Sequence, residues 1–466
     1  MTQWQTVERD LKRWGLDPHR LTCGCAVKVD LQRVVYPALR SIGPRLEALG
    51  LRLAGREDAD IFPRSERFSF ERRVYPFDAD DVAPLDKSQT LRAVTVTAAY
   101  RPDDPEVLGQ SWLAFYEALL AKGAALHVGK GHTIEAYSKE DAFVHFDLYA
   151  PQGAPRPGSW VANNDTIQLI DPSRDVAAPE QTEVALCNAL NDLFSLGAVE
   201  DVRVYPFYAA PHPELAKHIA HNAADFCQQH GFTFVPQPPI SNRTLLVGAT
   251  VFGASSKQLP TFYDELREGD LILVHRPFGD LDAINVLLER LMLQNGQRHA
   301  SDWSTQDLQR VVDERLAVLR RPNLDVGRLI QRLCPAVDAA FDERQHLKAT
   351  GDLSGPGIDI FRELAEIASR DVVIERLPLV HEELARYASE HFLLPNSTSG
   401  TNGAIALVGS AQVIEHTKAA LETLGHAPQI IGHVGGEGGT LYVPAQTQHF
   451  ISDWPEVYQT TPRSTP

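Results

Sequence analysis

The sequence predicts an α/β fold with α+β layering. Two stretches carry the prediction. Residues 202–252 read strand, helix, strand, and the same alternation restarts behind the turn at Gly269 and Asp270. A third stretch, 138–197, places acidic residues at the edges of such elements.

In chain order, Trp4, Val7, Leu11 and Trp14 stand at helical spacing and predict a short amphipathic helix. Cys23-Gly24-Cys25 follows, just ahead of a helix predicted over 30–39. Residues 55–90 carry Arg64, Arg67, Arg72 and Arg73 answered by Asp78, Asp80 and Asp81, and read as a loop-rich, solvated insertion. A strand is predicted over 91–99, a helix over 110–122 ending at Gly123, and a strand over 125–128. Gly129-Lys130-Gly131 can approach a phosphate but lacks P-loop spacing and precedes no helix.

Val144, Phe146 and Leu148 alternate onto one face of a strand over 143–148, with Asp141 at its start. A second apolar run covers 167–170, with Asp165 just before it. Leu186, Leu190 and Leu193 predict a helix over 182–196 that stops at Gly197 and carries Asp192 beside its apolar stripe. Then come a strand over 202–208, a helix over 213–230 and a strand over 244–252, with a seam expected at 253–257.

The second half opens with the buried-strand pattern 271–274. Helices are predicted over 280–293 and 305–319, with a further one reaching Cys334. Residues 348–357 form a glycine-rich turn holding Asp352, which opens a helix at about Ile358; such a turn is a ready anion site. A polar loop over 395–403 precedes a strand over 404–408, and a helix over 411–424 follows. The tail after Trp454 is rich in Thr and Pro and is expected to fray.

Composition narrows the function. The chain has 466 residues, enough for two or three domains. A net charge of -17 argues against a general nucleic-acid binder. The absence of a long apolar run argues against a membrane span, and the charged N-terminus is not a secretion signal, so a cytoplasmic protein is expected. Five cysteines are too scattered for a disulfide framework; Cys187, Cys227 and Cys334 lie in apolar helical contexts and are expected to be core thiols. Cys23 and Cys25 differ, because a helix start and Lys28 nearby would both favour the thiolate.

Asp141, Asp165, Asp192 and Asp352 form a candidate acidic set. Carboxylates that converge from element edges suit Mg²⁺, a hard cation that keeps waters and serves substrate phosphates. Taken alone, each also reads as an ordinary turn or cap residue.

An ordered series of motifs resembles the selenide, water dikinase (selenophosphate synthetase) family of the aminoimidazole ribonucleotide synthetase-like superfamily. Cys23-Gly24-Cys25 resembles its CGCK motif, Glu140-Asp141-Ala142 its DDA, and Asn164-Asp165 its TTD. The run from Asn188 through Asp192 to Gly197 is similar to NAISDIFAMG, and Arg276-Pro277-Phe278-Gly279 to KPLG. Residues 350–357 resemble TDVTGFG, and Ser397-Thr398-Ser399-Gly400 resembles QTSG.

The resemblance implies two related domains, an enlarged N-terminal segment and a homodimer. It implies the conversion of ATP, water and selenide to selenophosphate, AMP and phosphate. The divisions that follow are an arm over 1–40, an insertion over 41–135, an ATP- and Mg²⁺-binding domain over 136–255, a C-terminal domain over 256–450 and a tail over 451–466.

Position by position, the resemblance implies Asp141, Asp192 and Asp352 as Mg²⁺ ligands. It implies Ser138, Lys139, Glu140 and Asp165 beside the nucleotide phosphates, and Cys23 as the catalytic thiol. Ala26 stands where the family has Lys, and Lys28 is the nearby replacement. Pro236-Gln237-Pro238-Pro239 stands where the family has a GGH loop. These departures leave open a paralogue that makes thiophosphate from sulfide, an enzyme that activates an amide oxygen, and a non-catalytic nucleotide-binding assembly factor.

Overall fold

A computed structural model describes residues 3–16, 159–239, 245–292, 303–391, 393–394, 396–398 and 403–451, with short pieces between 41 and 137 and at 459–460. Its strands build two seven-stranded mixed sheets.

The first sheet contains β1 (Arg52–Leu53), β2 (Leu126–Val128), β3 (Ile134–Tyr137), β4 (Ser159–Ile167), β5 (Glu200–Ala209), β6 (Thr233–Phe234) and β7 (Leu246–Ser255), in the order β1-β2-β3-β4-β7-β5-β6. Its centre is antiparallel: β7 pairs with β4 on one side and β5 on the other. Gly253, expected in an interdomain seam, is a paired residue of β7 opposite Val161.

Two helices pack on this sheet, α2 (Pro179–Ser195) and α3 (Pro213–His230); α1 (Gln3–Arg13) precedes them in the chain. In α3, Pro213 fills the first turn, His212 accepts the amide of Glu214, and Gly231 closes the helix in the left-handed region. Leu186, Leu190, Leu193 and Phe194 of α2 meet Phe226 of α3 and Val161, Val204 and Val251 of the strands in one core. Cys187 and Cys227 are buried, as expected, and burial pushes the Cys227 thiol up to about 12.

The second sheet contains β8 (Leu271–Val274), β9 (Ala349–Asp352), β10 (Arg370–Ile374), β11 (Ile405–Gly409), β12 (Gln429–Glu437), β13 (Leu441–Val443) and β14 (Gln459–Thr460), in the order β14-β13-β10-β12-β8-β11-β9. Its helices are α4 (Asp280–Met292), α5 (Thr305–Leu319), α6 (Leu324–Arg332), α7 (Asp359–Ala368), α8 (Glu382–Glu390) and α9 (Ala411–Thr423). The sheet is covered on both faces, which explains the unbroken apolar run of β8. Ile272 and Val274 enter one core with Phe361 and Val434, whereas Leu273 enters another with Ile330, Leu407 and Ile414.

A fourth core joins α1 to α2, α3, α4, α5 and α8. Trp4, Val7 and Leu11 pack there with Ile284, Leu288 and Leu308, so the predicted amphipathic helix spends its apolar stripe on helices from the second half.

Candidate functional site

The site is built where β4 faces α2. Residues Val161, Asn163 and Ile167 of β4 are buried and Asn164 is exposed, so the odd positions, Asp165 among them, point toward α2. Asp165 therefore lies inside the strand, opposite Ala249 of β7, and not in a turn before it. Asp192 lies in the last turn of α2, half-buried on a helix whose other sides are almost all covered.

Strand and helix are bonded crosswise. Asn163 Nδ2 donates to Asp192 Oδ2, and Asn188 Nδ2 donates to Asp165 Oδ2. Two strand residues rise about 6.7 Å, and four helical residues rise about 6.0 Å. That match lets one pair of residues on β4 serve one turn of α2. Asn163 Nδ2 also reaches the carbonyl of Ala189 at 3.1 Å. Both of its partners are acceptors, so the nitrogen has to face α2. The other end of the same amide, Asn163 Oδ1, is buried without a hydrogen-bond partner.

Asp352 ends β9, the edge strand of the second sheet, where the sequence placed a turn. Its Oδ1 accepts the Ser354 amide at 3.0 Å and the Ser354 hydroxyl at 2.9 Å. The strand is tied to α2, because the Thr350 hydroxyl donates to the carbonyl of Ser195. A second tie runs through Asn323, which bonds Asn191 and Gly403. Gly327 lets α6 close on α2: a Cβ there would come within 2.7 Å of Val199 Cγ1 and 3.0 Å of Phe194 Cβ. Thr398, in the predicted polar loop, is buried and accepts the amide of Ile358 at 3.2 Å.

Asp165 and Asp192 are thus both held at the seam of β4 and α2, about one helical turn apart, and Asp352 is tied to the helix that carries Asp192. Cys23, Lys28, Ser138, Lys139, Glu140 and Asp141 lie outside the described residues. Among the described residues, no three of His, Cys, Asp and Glu are grouped to hold a metal ion. In chemistry, the carboxylate oxygens of Asp165, Asp192 and Asp352 fit a hard cation, and the unpartnered Asn163 Oδ1 is a further oxygen of that kind at the same seam. Asn163, Asn188 and Asn323 were missed as site residues. The signal for the first two was the spacing, i and i+2 on a strand against i and i+4 on a helix. Among the described residues, no helix is long and apolar enough to cross a membrane.

Solved structures similar to this chain include three from kinases and a maturation protein. Thiamine-monophosphate kinase from Stenotrophomonas maltophilia is 17% identical, covering 72% of this chain and 95% of that one, with a TM-score of 0.42. Thiamine monophosphate kinase from Aquifex aeolicus is 14% identical, covering 62% and 90%, with a TM-score of 0.41. HypE from E. coli is 17% identical, covering 66% and 87%, with a TM-score of 0.42. No family model matches the chain. The selenide, water dikinase of Methanococcus maripaludis is 26% identical over 108 residues, which are 22% of this chain and 32% of that protein. The chain therefore spans about a third of that relative's length. This match and the ordered motifs between Cys23 and Gly400 make the chain similar to selenide, water dikinase.

Proposed function

We propose that the chain is an Mg²⁺- and ATP-dependent phosphotransferase similar to selenide, water dikinase, acting on selenide. The observation that carries this reading is the crosswise bonding of Asp165 and Asp192, with Asp352 tied to the same helix. Asp192 and Asp352, joined by Asp141, would hold Mg²⁺. Bound there, the cation would neutralise charge on the nucleotide phosphates.

The chain's own residues do the positioning. Asn163 fixes the Asp192 carboxylate toward β4. Asn188 fixes Asp165, which would border the phosphates with Ser138, Lys139 and Glu140. Cys23, with Lys28 beside it, would handle the chalcogen as a thiolate. A cytoplasmic homodimer belongs to the same reading.

The test is incubation of purified protein with Mg-ATP and either selenide or sulfide, followed by ³¹P NMR and nucleotide chromatography. AMP, phosphate and a selenium-bonded phosphorus signal, with selenide only, are expected. The same products with sulfide only would reassign the acceptor. ADP released with neither chalcogen would point to activation of an amide oxygen. Nucleotide binding with no turnover would point to an assembly factor.

A further inference from the structure

We infer that Asn323 is a positioning residue that couples the two halves of the acidic site. Asn323 precedes α6 at the N-cap position, where an Asn side chain ordinarily accepts an amide of the first helical turn. Here it makes no such bond. Its amide nitrogen instead uses two donors away from its own helix. One goes to Asn191 Oδ1 at 3.0 Å and the other to the carbonyl of Gly403 at 2.6 Å.

The two acceptors lead to different acids. Asn191 is buried on α2, next to Asp192 in the chain. Gly403 donates its amide to the Ser354 hydroxyl, and Ser354 in turn holds Asp352 through its amide and hydroxyl. A continuous path therefore runs Asp352, Ser354, Gly403, Asn323, Asn191, Asp192, and Asn323 is the side chain in it that reaches both ways from outside either acid-bearing segment. The packing admits little slack. Gly403 has a φ of +82°, and a Cβ there would fall 2.0 Å from Asn191 Nδ2 and 2.8 Å from Asn323 Nδ2. A buried amide whose nitrogen bridges two segments fixes their separation, which is what a shared cation requires of ligands from a helix and a strand in different layers.

This role presupposes the Mg²⁺-nucleotide site proposed above, so its test has two arms. The first is hydrogen–deuterium exchange on the nucleotide-free protein. Asn323→Ala should speed exchange in the segments 349–357 and 403–409, while the amides of α3 stay as they were. Unchanged exchange in both segments overturns the role. The second arm is titration with Mn²⁺ in the presence of a non-hydrolysable ATP analogue, followed by electron paramagnetic resonance. Affinity should fall about tenfold to a hundredfold in Asn323→Ala, as for other residues that orient ligands without touching the ion. Asn323→Asp, which turns a carboxylate on two oxygen acceptors, should fall further. Equal affinity in wild type and both variants overturns the role. Failure of the wild type to bind Mn²⁺-nucleotide overturns the reading of the site instead, and the exchange arm then decides on Asn323 alone. Asn323→Ser keeps a donor and serves if Asn323→Ala does not fold; it should lie between wild type and Asn323→Asp, and wild-type affinity together with wild-type exchange would overturn the role.

Discussion

Asn163 on a strand of the first sheet holds Asp192 on the facing helix, through the same amide nitrogen that bonds the carbonyl of Ala189. One planar group thus sets both the spacing of β4 from α2 and the direction of an acidic side chain. Asn163→Ala removes both bonds at a position only 2% exposed. The variant should lose about 1–3 kcal/mol, the cost of leaving buried acceptors without donors. Urea denaturation followed by circular dichroism checks this, and a change under about 0.5 kcal/mol would mean that water replaces the amide.

Gly403 and Gly425 make a matched pair. Both have positive φ, +82° and +86°, but a Cβ at Gly403 would strike Asn191 Nδ2 at 2.0 Å, and one at Gly425 would meet nothing within 4 Å. Gly425→Ala should cost only the left-handed backbone penalty, about 1–2 kcal/mol. Gly403→Ala should cost clearly more, because Asn191 is buried and already bonded to Asn323. Equal melting temperatures for the two variants would show that the Asn191 side chain can swing away.

Lys348 and Asp270 form a buried ion pair, with the ammonium 2.8 Å from both carboxylate oxygens. Lys348→Met leaves a carboxylate buried and unpaired, and should cost about 3–5 kcal/mol. The double variant Lys348→Met with Asp270→Asn should recover most of that loss. The Asn can still accept the amide of Arg267, which Asp270 accepts at 2.7 Å. Denaturant midpoints of the single and double variants measure the recovery; a double variant no better than the single would contradict it.

Much of this framework was legible in the sequence. The helix Pro213–His230 was read with its bounds because Pro213 and Gly231 punctuate it chemically. The helix Thr305–Leu319 was read because its apolar positions recur at helical spacing. Asp165 was placed just before a strand at 167–170, and lies instead inside the strand Ser159–Ile167. What makes it a strand residue is pairing with Ala249, more than eighty residues away, and no local pattern reveals that. β10 and α8 were not read at all: β10 is short and draws its order from β12 and β13 on either side. Asn323 was not singled out, because its use depends on two partners distant in the chain. The residues assigned to the chalcogen step and to much of the nucleotide loop, Cys23, Lys28 and Ser138 to Asp141, lie outside the described residues.

Asp282 gives the fold a pH dependence. It is buried in the first turn of α4, and neither carboxylate oxygen has a hydrogen-bond partner; the neighbouring Ser397 hydroxyl is directed to the carbonyl of Ala385 at 2.8 Å. Desolvation raises its pKa well above the usual carboxylate value, and Asp280 adds to the rise. The folded chain therefore keeps a proton that the unfolded chain releases above its ordinary carboxylate pKa. Stability from this group is lost as pH rises from about 4, at up to about 1.4 kcal/mol per unit, until the folded-state pKa is reached. Asp282→Asn, which resembles the protonated acid, should be more stable than wild type at pH 7 and should lose that advantage near pH 4. Melting curves across this range decide it; a constant difference would mean that Asp282 is ionised in the fold.

The most direct measurement is isothermal titration of wild type, Asp192→Asn and Asp352→Asn with Mg-ATP. Asp192 comes from α2 and Asp352 from β9 of the second sheet, so they affect one ligand together only if they share it. Wild type should bind, and both variants should lose binding while keeping the wild-type circular dichroism spectrum. Wild-type affinity in either variant would remove that residue from the site and contradict a magnesium-nucleotide centre shared between α2 and β9.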